Sequence, residues 1–312
     1  MKLVIIAPGH TPIPPIGWGA VESLIWDYKI FIEKYHPSIS CIIVNVPSEQ
    51  QIIESVNALH PDVVHIHNDD MAKYSHLIKC PSVFLTSHYA YLSQIHTRPR
   101  DPHLMNVAAF IRSGRNIMCL SPEISQVYQM FGCLPNRLIV QPNGANDEIF
   151  RFTDTPKYPE RSLCLARIEA RKGQYKLQGD SSIYFAGIYE DSNFDVKMDR
   201  YLGEWTKVQL YENLTDYGNL VLLSDGEAHA LVVAEALVSG LGVVVSEEAA
   251  ANLDLSMPFI DVVPNGVDPS ETIRKNRETS INMRSEIREY GVKTFGWKTI
   301  TDKYVKALGL VS

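Results

Sequence analysis

No apolar run in this 312-residue chain approaches the roughly 18 residues that a membrane span needs, so a transmembrane helix is not expected. Positive charge is not in excess either. The 29 lysines and arginines against 36 aspartates and glutamates leave a formal net charge of −7, which argues against a nucleic-acid-binding role. Cysteine is sparse: Cys41, Cys80, Cys119, Cys133 and Cys164 are odd in number and form no C-x-x-C pair, so a reduced, cytoplasmic compartment is the natural expectation. Met1 to Ala7, followed at once by Pro8 and Gly9, is too short and wrongly flanked for a signal peptide. There is no low-complexity tract and no internal repeat. No G-x-G-x-x-G follows the first strand-like run, because the loop glycines Gly17 and Gly19 are followed by Glu at position 22.

What is present is an alternation. Short apolar runs of strand length at Lys2 to Ala7, Ser40 to Val46, Asp62 to His67, Ser82 to Ser87, Asn116 to Leu120 and Arg137 to Gln141 are separated by helical patterns, among them Val21 to Tyr35 and Glu49 to Leu59. Apolar runs of this kind suit central parallel strands, and alternation with helices predicts one doubly wound α/β domain. After a proline-bearing linker at about Ala145 to Glu160 the pattern restarts. Strands are expected at Arg161 to Ala166, Ser182 to Ala186, near Val196, Leu220 to Ser224, Val243 to Ser246 and Ile260 to Val263. Helices are expected at about Trp205 to Asp216, Ser270 to Gly291 and Trp297 to Leu308. The length accommodates two such domains.

The stretch Ser224 to Ser246, SDGEAHALVVAEALVSGLGVVVS, carries the most chemistry. It reads as a strand end, an Asp225-Gly226 turn, a helix of about three turns closed by Gly240, and a second buried strand. Glu227 and Glu235 stand eight residues apart, which on regular helix would be about 12 Å along the axis and about 80° in rotation. Glu227 is expected in the turn, leaving the backbone amides of Ala228 to Val232 as the unpaired donors of a helix N-terminus. A carboxylate, an anion cradle and a second carboxylate in line suit a ligand with hydroxyls at both ends and a diphosphate between, such as a nucleotide sugar. The same spacing also occurs in ordinary helices, so the rest of the chain has to decide.

Two further groups fall at strand ends, where open α/β sheets bind ligands. Arg167 and Lys172 follow the strand Arg161 to Ala166 and close on Gly173, well placed to meet phosphate oxygens if they are not simply a solvated charged loop. His88 follows Ser82 to Ser87. His65 and His67 share a strand face by the period of two, with Asp69 and Asp70 beyond; a metal site or a pair of hydrogen-bonding histidines both fit.

Taken in order, the segments APGHTPIPPIGWGAVE, DVVHIHND, SHY, CLSPEIS, VQPNGANDEIF, ARIEARKG and the Glu227 to Glu235 E-x7-E resemble, over nearly the full length, the retaining nucleotide-sugar glycosyltransferases of family 4. The resemblance implies the GT-B fold: two Rossmann-like doubly wound α/β domains facing across a cleft, residues 1–150 on the acceptor side, completed by a C-terminal helix at 295–312, and 151–294 on the donor side. It implies that Arg167 and Lys172 bind the donor diphosphate, Glu227 the hydroxyls of the transferred sugar, and Glu235 the ribose. Backbone around Gly17, Gly19 and Ala20, and at Ala230, Leu231 and Val232, would complete the donor contacts, with His88 near the sugar. Catalytic roles would then fall to Glu227, His88, Arg167 and Lys172.

The partners implied are a nucleotide-diphosphate sugar, with UDP favoured, and a hydroxyl acceptor on a glycan, lipid or small molecule. Loose contact with a membrane surface is common in the family. No metal or other cofactor is expected, in keeping with the absence of D-x-D from the chain. The chain departs from the family pattern at Ala20, Ala166 and His229-Ala230, where glycines or Phe-Gly are usual, and the span from Gly173 to Ser182 is too short for the usual helix. A sugar-nucleotide epimerase on the same fold, or a catalytically weak nucleotide-sugar-binding protein, are the alternatives.

Overall fold

The computed structural model describes residues 1–17 and 19–311, and its contacts divide the chain into two units, Met1–Asn143 with Trp297–Ser312, and Gly144–Gly296. In the first unit the chain runs β1 (Lys2–Ile6), α1 (Ala20–Tyr35), β2 (Ser40–Val44), α2 (Glu49–Leu59), β3 (Val63–Ile66), β4 (Ser82–Leu85), α3 (Leu104–Arg112), β5 (Asn116–Cys119), α4 (Pro122–Met130) and β6 (Leu138–Val140). All neighbouring strands are parallel, in the order β2-β1-β3-β4-β5-β6. Parallel strands covered on both faces have to be apolar throughout. Leu3 to Ala7 are fully buried, as are Val64 and Ile66. Helix α4 starts where a side chain supplies a missing acceptor: Ser121 Oγ caps it by accepting from Ile124 N, with Pro122 at the first helical position.

The second unit runs β7 (Tyr158–Leu165), β8 (Ile183–Ala186), α5 (Lys207–Asn213), β9 (Tyr217–Leu222), α6 (Leu231–Val238), β10 (Gly242–Ser246), β11 (Ile260–Val263), α7 (Ser270–Ile281) and α8 (Arg284–Phe295). Its sheet is again all parallel, in the order β11-β10-β9-β7-β8. Both units are thus doubly wound. In each the strand order reverses beside the first strand, between β1 and β3 in one and between β7 and β9 in the other. Those reversals open crevices at the carboxyl ends of the strands.

Two features fasten the second unit. Helix α8 lies so close to α6 that a Cβ on Gly291 would stand 2.4 Å from the Leu237 carbonyl carbon. The Arg284 guanidinium, 2% exposed, donates to the carbonyls of Thr153, Thr215 and Tyr217 at 2.7, 2.6 and 3.0 Å.

The chain ends in α9 (Trp297–Ala307), which belongs to the first unit. Its buried residues Trp297, Ile300, Thr301, Tyr304 and Val305 recur at the three- and four-residue spacing of one helix face. That face packs on α1: Trp297 meets Tyr28 edge-on at 4.8 Å and stacks on Phe31 at 5.6 Å between ring centroids. Among the described residues no helix is long and apolar enough to cross a membrane.

The structure differs from the sequence expectations in three places. Val196 lies in a turn and not in a strand. The span from Ser270 is two helices, α7 and α8. The helix of the central stretch begins at Leu231, later than expected, and has eight residues, about two turns.

Candidate active site

The crevice of the second unit is framed by the loops that follow β7 and β9, and these loops are bonded to each other. Asp225 N donates to Arg171 O at 2.8 Å, and Arg171 Nη1 donates to Gly226 O at 2.6 Å. Gly173 makes the first of these loops turn, with φ of +63° in the left-handed region that glycine adopts without strain.

Between the loops sits an ion-pair cluster. Lys172 Nζ lies 2.5 Å from Glu227 Oε1, with both side chains nearly covered, and Arg171 Nη1 lies 3.4 Å from the same oxygen. Arg171 Nη2 also pairs with Glu169 Oε1 at 2.8 Å. Lys172 and Glu227 are thus brought together as an ion pair, a contact that the sequence spacing did not predict. Arg167 is not part of the cluster: its side chain is 50% exposed and approaches Glu190 only at 3.5 Å. Gln174 Nε2 holds its backbone by donating to Arg167 O at 2.9 Å.

Glu227 lies in the loop ahead of α6, as expected from the Asp225-Gly226 turn. The amide cradle is shorter than expected. Ala228 and His229 precede the helix and Ala230 is its N-cap, so Leu231 and Val232 are the first helical amides, with no acceptor inside the helix and none on the side chain of the Ala230 cap. Glu235 is part-exposed in the middle of α6. His229, buried between these elements and 5.8 Å from the Phe295 ring, is pushed down to about 4 by desolvation, which the nearby Glu227 carboxylate partly opposes.

Arg171 and His229 are the residues that sequence reasoning missed. Arg171 stood in the quoted ARIEARKG segment, but nothing in its spacing distinguishes it from Arg167. Only the fold of the loop places it beside Glu227.

In the first unit, Gly17, Gly19 and Ala20 lie in the loop after β1 and at the start of α1. Gly19 is the helix N-cap, with φ of 154° and no capping side chain, and Ala20 opens the helix. His88 follows β4, with its Nε2 2.9 Å from His67 Nδ1. His65 and His67 do not look outward as a metal pair. They are buried and bonded into a chain: His67 Nε2 to His65 Nδ1 at 3.1 Å, His65 Nδ1 to Tyr304 Oη at 2.7 Å, and His65 Nε2 to Thr86 Oγ1 at 2.8 Å. Among the described residues no group of three or more His, Cys, Asp or Glu is arranged to hold a metal ion. Asp69 accepts from Ser87 Oγ at 2.6 Å and pairs with His103 Nε2 at 2.7 Å. The His103 ring in turn stacks on Tyr89 at 3.7 Å.

No family model matches the sequence, and no curated protein does. Solved structures do match the fold. The Anabaena protein HepE, solved in complex with UDP and glucose, is 12% identical with full coverage of both chains and a TM-score of 0.74. AviGT4, a glycosyltransferase involved in avilamycin A biosynthesis, is 18% identical, covering 99% of this chain and 97% of its own, with a TM-score of 0.70. Sucrose-phosphate synthase from Thermosynechococcus elongatus is 14% identical, covering 99% of this chain and 98% of its own, with a TM-score of 0.76. At these identities the likeness is one of fold: the chain has the two-domain, Rossmann-like α/β fold of GT-B proteins.

Proposed function

We propose that the protein is a retaining glycosyltransferase that moves a sugar from a nucleotide-diphosphate sugar, with UDP the favoured carrier, to a hydroxyl of a glycan, lipid or small-molecule acceptor, without a metal ion and in the cytoplasm. The observation that carries the reading is the Lys172–Glu227 pair, set at the β7/β9 reversal and flanked by the uncapped start of α6. The neighbour HepE, solved with UDP-glucose, supports the class of donor.

In this reading the bond from the anomeric carbon to the diphosphate breaks while a bond to the acceptor oxygen forms. Negative charge then grows on the departing diphosphate and positive charge on the sugar ring. Lys172, Arg167 and the Leu231 and Val232 amides meet the first. Glu227 holds hydroxyls of the transferred sugar, Glu235 the ribose, and His88 a sugar hydroxyl. Gly17, Gly19, Ala20 and Ala230 let backbone come close to the donor. Retention follows if the acceptor attacks the face the diphosphate leaves, with a donor phosphate oxygen taking the acceptor proton.

One observation favours a second reading, a nucleotide-sugar-binding protein of weak activity. Between Gly173 and β8 the crossover holds only a 3-10 turn at Gln174–Leu177, where a parallel crossover usually carries an α-helix. Incubation with UDP-sugars and a panel of acceptors separates the cases. UDP release that depends on acceptor, with the anomeric configuration kept, supports transfer. A changed sugar nucleotide without acceptor indicates an epimerase, and binding that leaves the donor intact indicates the weak-binder reading. A chain that binds no nucleotide sugar refutes all three.

A further inference from the structure

We infer that Thr86, His65 and His67 form a buried relay of positioning residues that fixes the tautomer of His88, leaving His88 Nδ1 as a bare hydrogen-bond acceptor for a hydroxyl-bearing ligand. The relay starts from a backbone carbonyl, which can only accept. Thr86 Oγ1 lies 3.0 Å from Met118 O and must give that oxygen its single proton. The same Oγ1 is 2.8 Å from His65 Nε2, so it can only accept there, and His65 carries its proton on Nε2. His65 Nδ1 is then a lone pair, and it accepts a hydrogen bond from the Tyr304 hydroxyl at 2.7 Å.

His67 Nε2 faces that same lone pair at 3.1 Å and has to be the protonated nitrogen, since two lone pairs would otherwise oppose each other out of water. His67 Nδ1 is therefore an acceptor, and the bond at 2.9 Å requires His88 to donate from Nε2. One proton per ring is the right count. Burial pushes all three imidazoles down, His65 to about 3, His88 to about 4 and His67 well below its ordinary value, so each is neutral near neutral pH. Thr86, His65 and His67 are 1%, 2% and 4% exposed, which closes the chain to exchange with water, whereas His88 is only partly covered.

Among the described residues no hydrogen bond occupies His88 Nδ1. A bare nitrogen there attracts a hydroxyl and repels a phosphate oxygen, which also brings only lone pairs. That a ligand meets this nitrogen rests on the transferase reading; the tautomer does not.

The test is a long-range 1H–15N correlation spectrum of the ligand-free full chain, labelled at histidine and recorded near neutral pH, with the His88 signals assigned by their loss in His88→Gln. The expected result is a pyridine-like shift for His88 Nδ1 and a pyrrole-like shift for Nε2. In Thr86→Val the Nε2 proton of His65 loses its acceptor. The proton then moves to Nδ1, where the Tyr304 oxygen accepts it, and His67 and His88 follow in turn, so that His88 Nδ1 becomes pyrrole-like. A wild-type protein with His88 protonated on Nδ1, or a folded Thr86→Val variant with an unchanged His88 pattern, overturns the relay. Neither result depends on whether the protein binds a nucleotide sugar.

Discussion

Replacing Lys172 with methionine keeps the length of the side chain and removes its charge, so the cost is mainly electrostatic. The ion pair it breaks is 2.5 Å long between side chains that are 10% and 11% exposed. Glu227 would keep only Arg171 at 3.4 Å, and that guanidinium is already bound to Glu169. Stranding one partner of a fully buried pair costs about 3–5 kcal/mol; with residual exposure and Arg171 in reserve, about 1–3 kcal/mol is expected for Lys172→Met. Glu227→Gln strands the lysine at a similar cost. The double variant leaves neither charge unpaired and should lie within about 1 kcal/mol of the parent, a coupling that a double-mutant cycle isolates. Urea unfolding of the four proteins measures it, and losses that simply add would refute the pairing. The same variants should diverge in binding. Lys172→Met is expected to weaken UDP at least about tenfold, whereas Glu227→Gln, which frees Lys172 for phosphate, should hold UDP at least as tightly as the parent. Equal weakening in both would show that the lysine does not exchange its carboxylate for phosphate.

Three further outcomes are expected. Gly291→Ala forces a methyl group against the backbone at Leu237 and should destabilise the second unit by about 1–3 kcal/mol, read by thermal unfolding. Arg284→Met removes the donors to three buried carbonyls and should cost about 3 kcal/mol or more, while an exposed change such as Arg274→Met should cost less than about 1 kcal/mol. His229 falls from its ordinary 6.5 to about 4 on burial, so its neutral form is the one that folding favours. Its contribution is complete above about pH 6.5 and is lost as pH falls toward 4, at a slope near 1.4 kcal/mol per unit that His229→Gln should remove from the stability–pH curve.

The sheets were legible because parallel strands buried on both faces leave continuous apolar runs. β9 and β10 are buried at every position, and both lie where the apolar runs placed them, within a few residues at the ends. Val196 was misread for the same reason: one apolar residue in a short loop looks like the edge of a strand, although the neighbouring Phe194 supplies the burial there. The start of α6 was misplaced because Ala228 and Ala230 favour helix intrinsically, while the chain has to close the β9 turn before it can wind.

Alternation put His65 and His67 on one face, but their partner Tyr304 lies 239 residues away, on a helix that only the fold brings to β3. The choice between Arg167 and Arg171 at Glu227 likewise depends on how the Gly173 loop turns, which no spacing encodes.

The central claim is that the second unit holds a nucleotide sugar at the β7/β9 crevice. The most direct test is thermal unfolding of the full chain against UDP, GDP, ADP, their sugar conjugates and NAD, with and without Mg²⁺. A ligand at a hundredfold excess over its dissociation constant adds about 2.7 kcal/mol, and at about 2–4 °C per kcal/mol this is a rise of roughly 5–11 °C. The account predicts that rise for one nucleoside diphosphate and its sugars, without need of Mg²⁺, and its loss in Lys172→Ala and Glu235→Ala. No rise with any nucleotide sugar, or a rise with NAD alone, would contradict it.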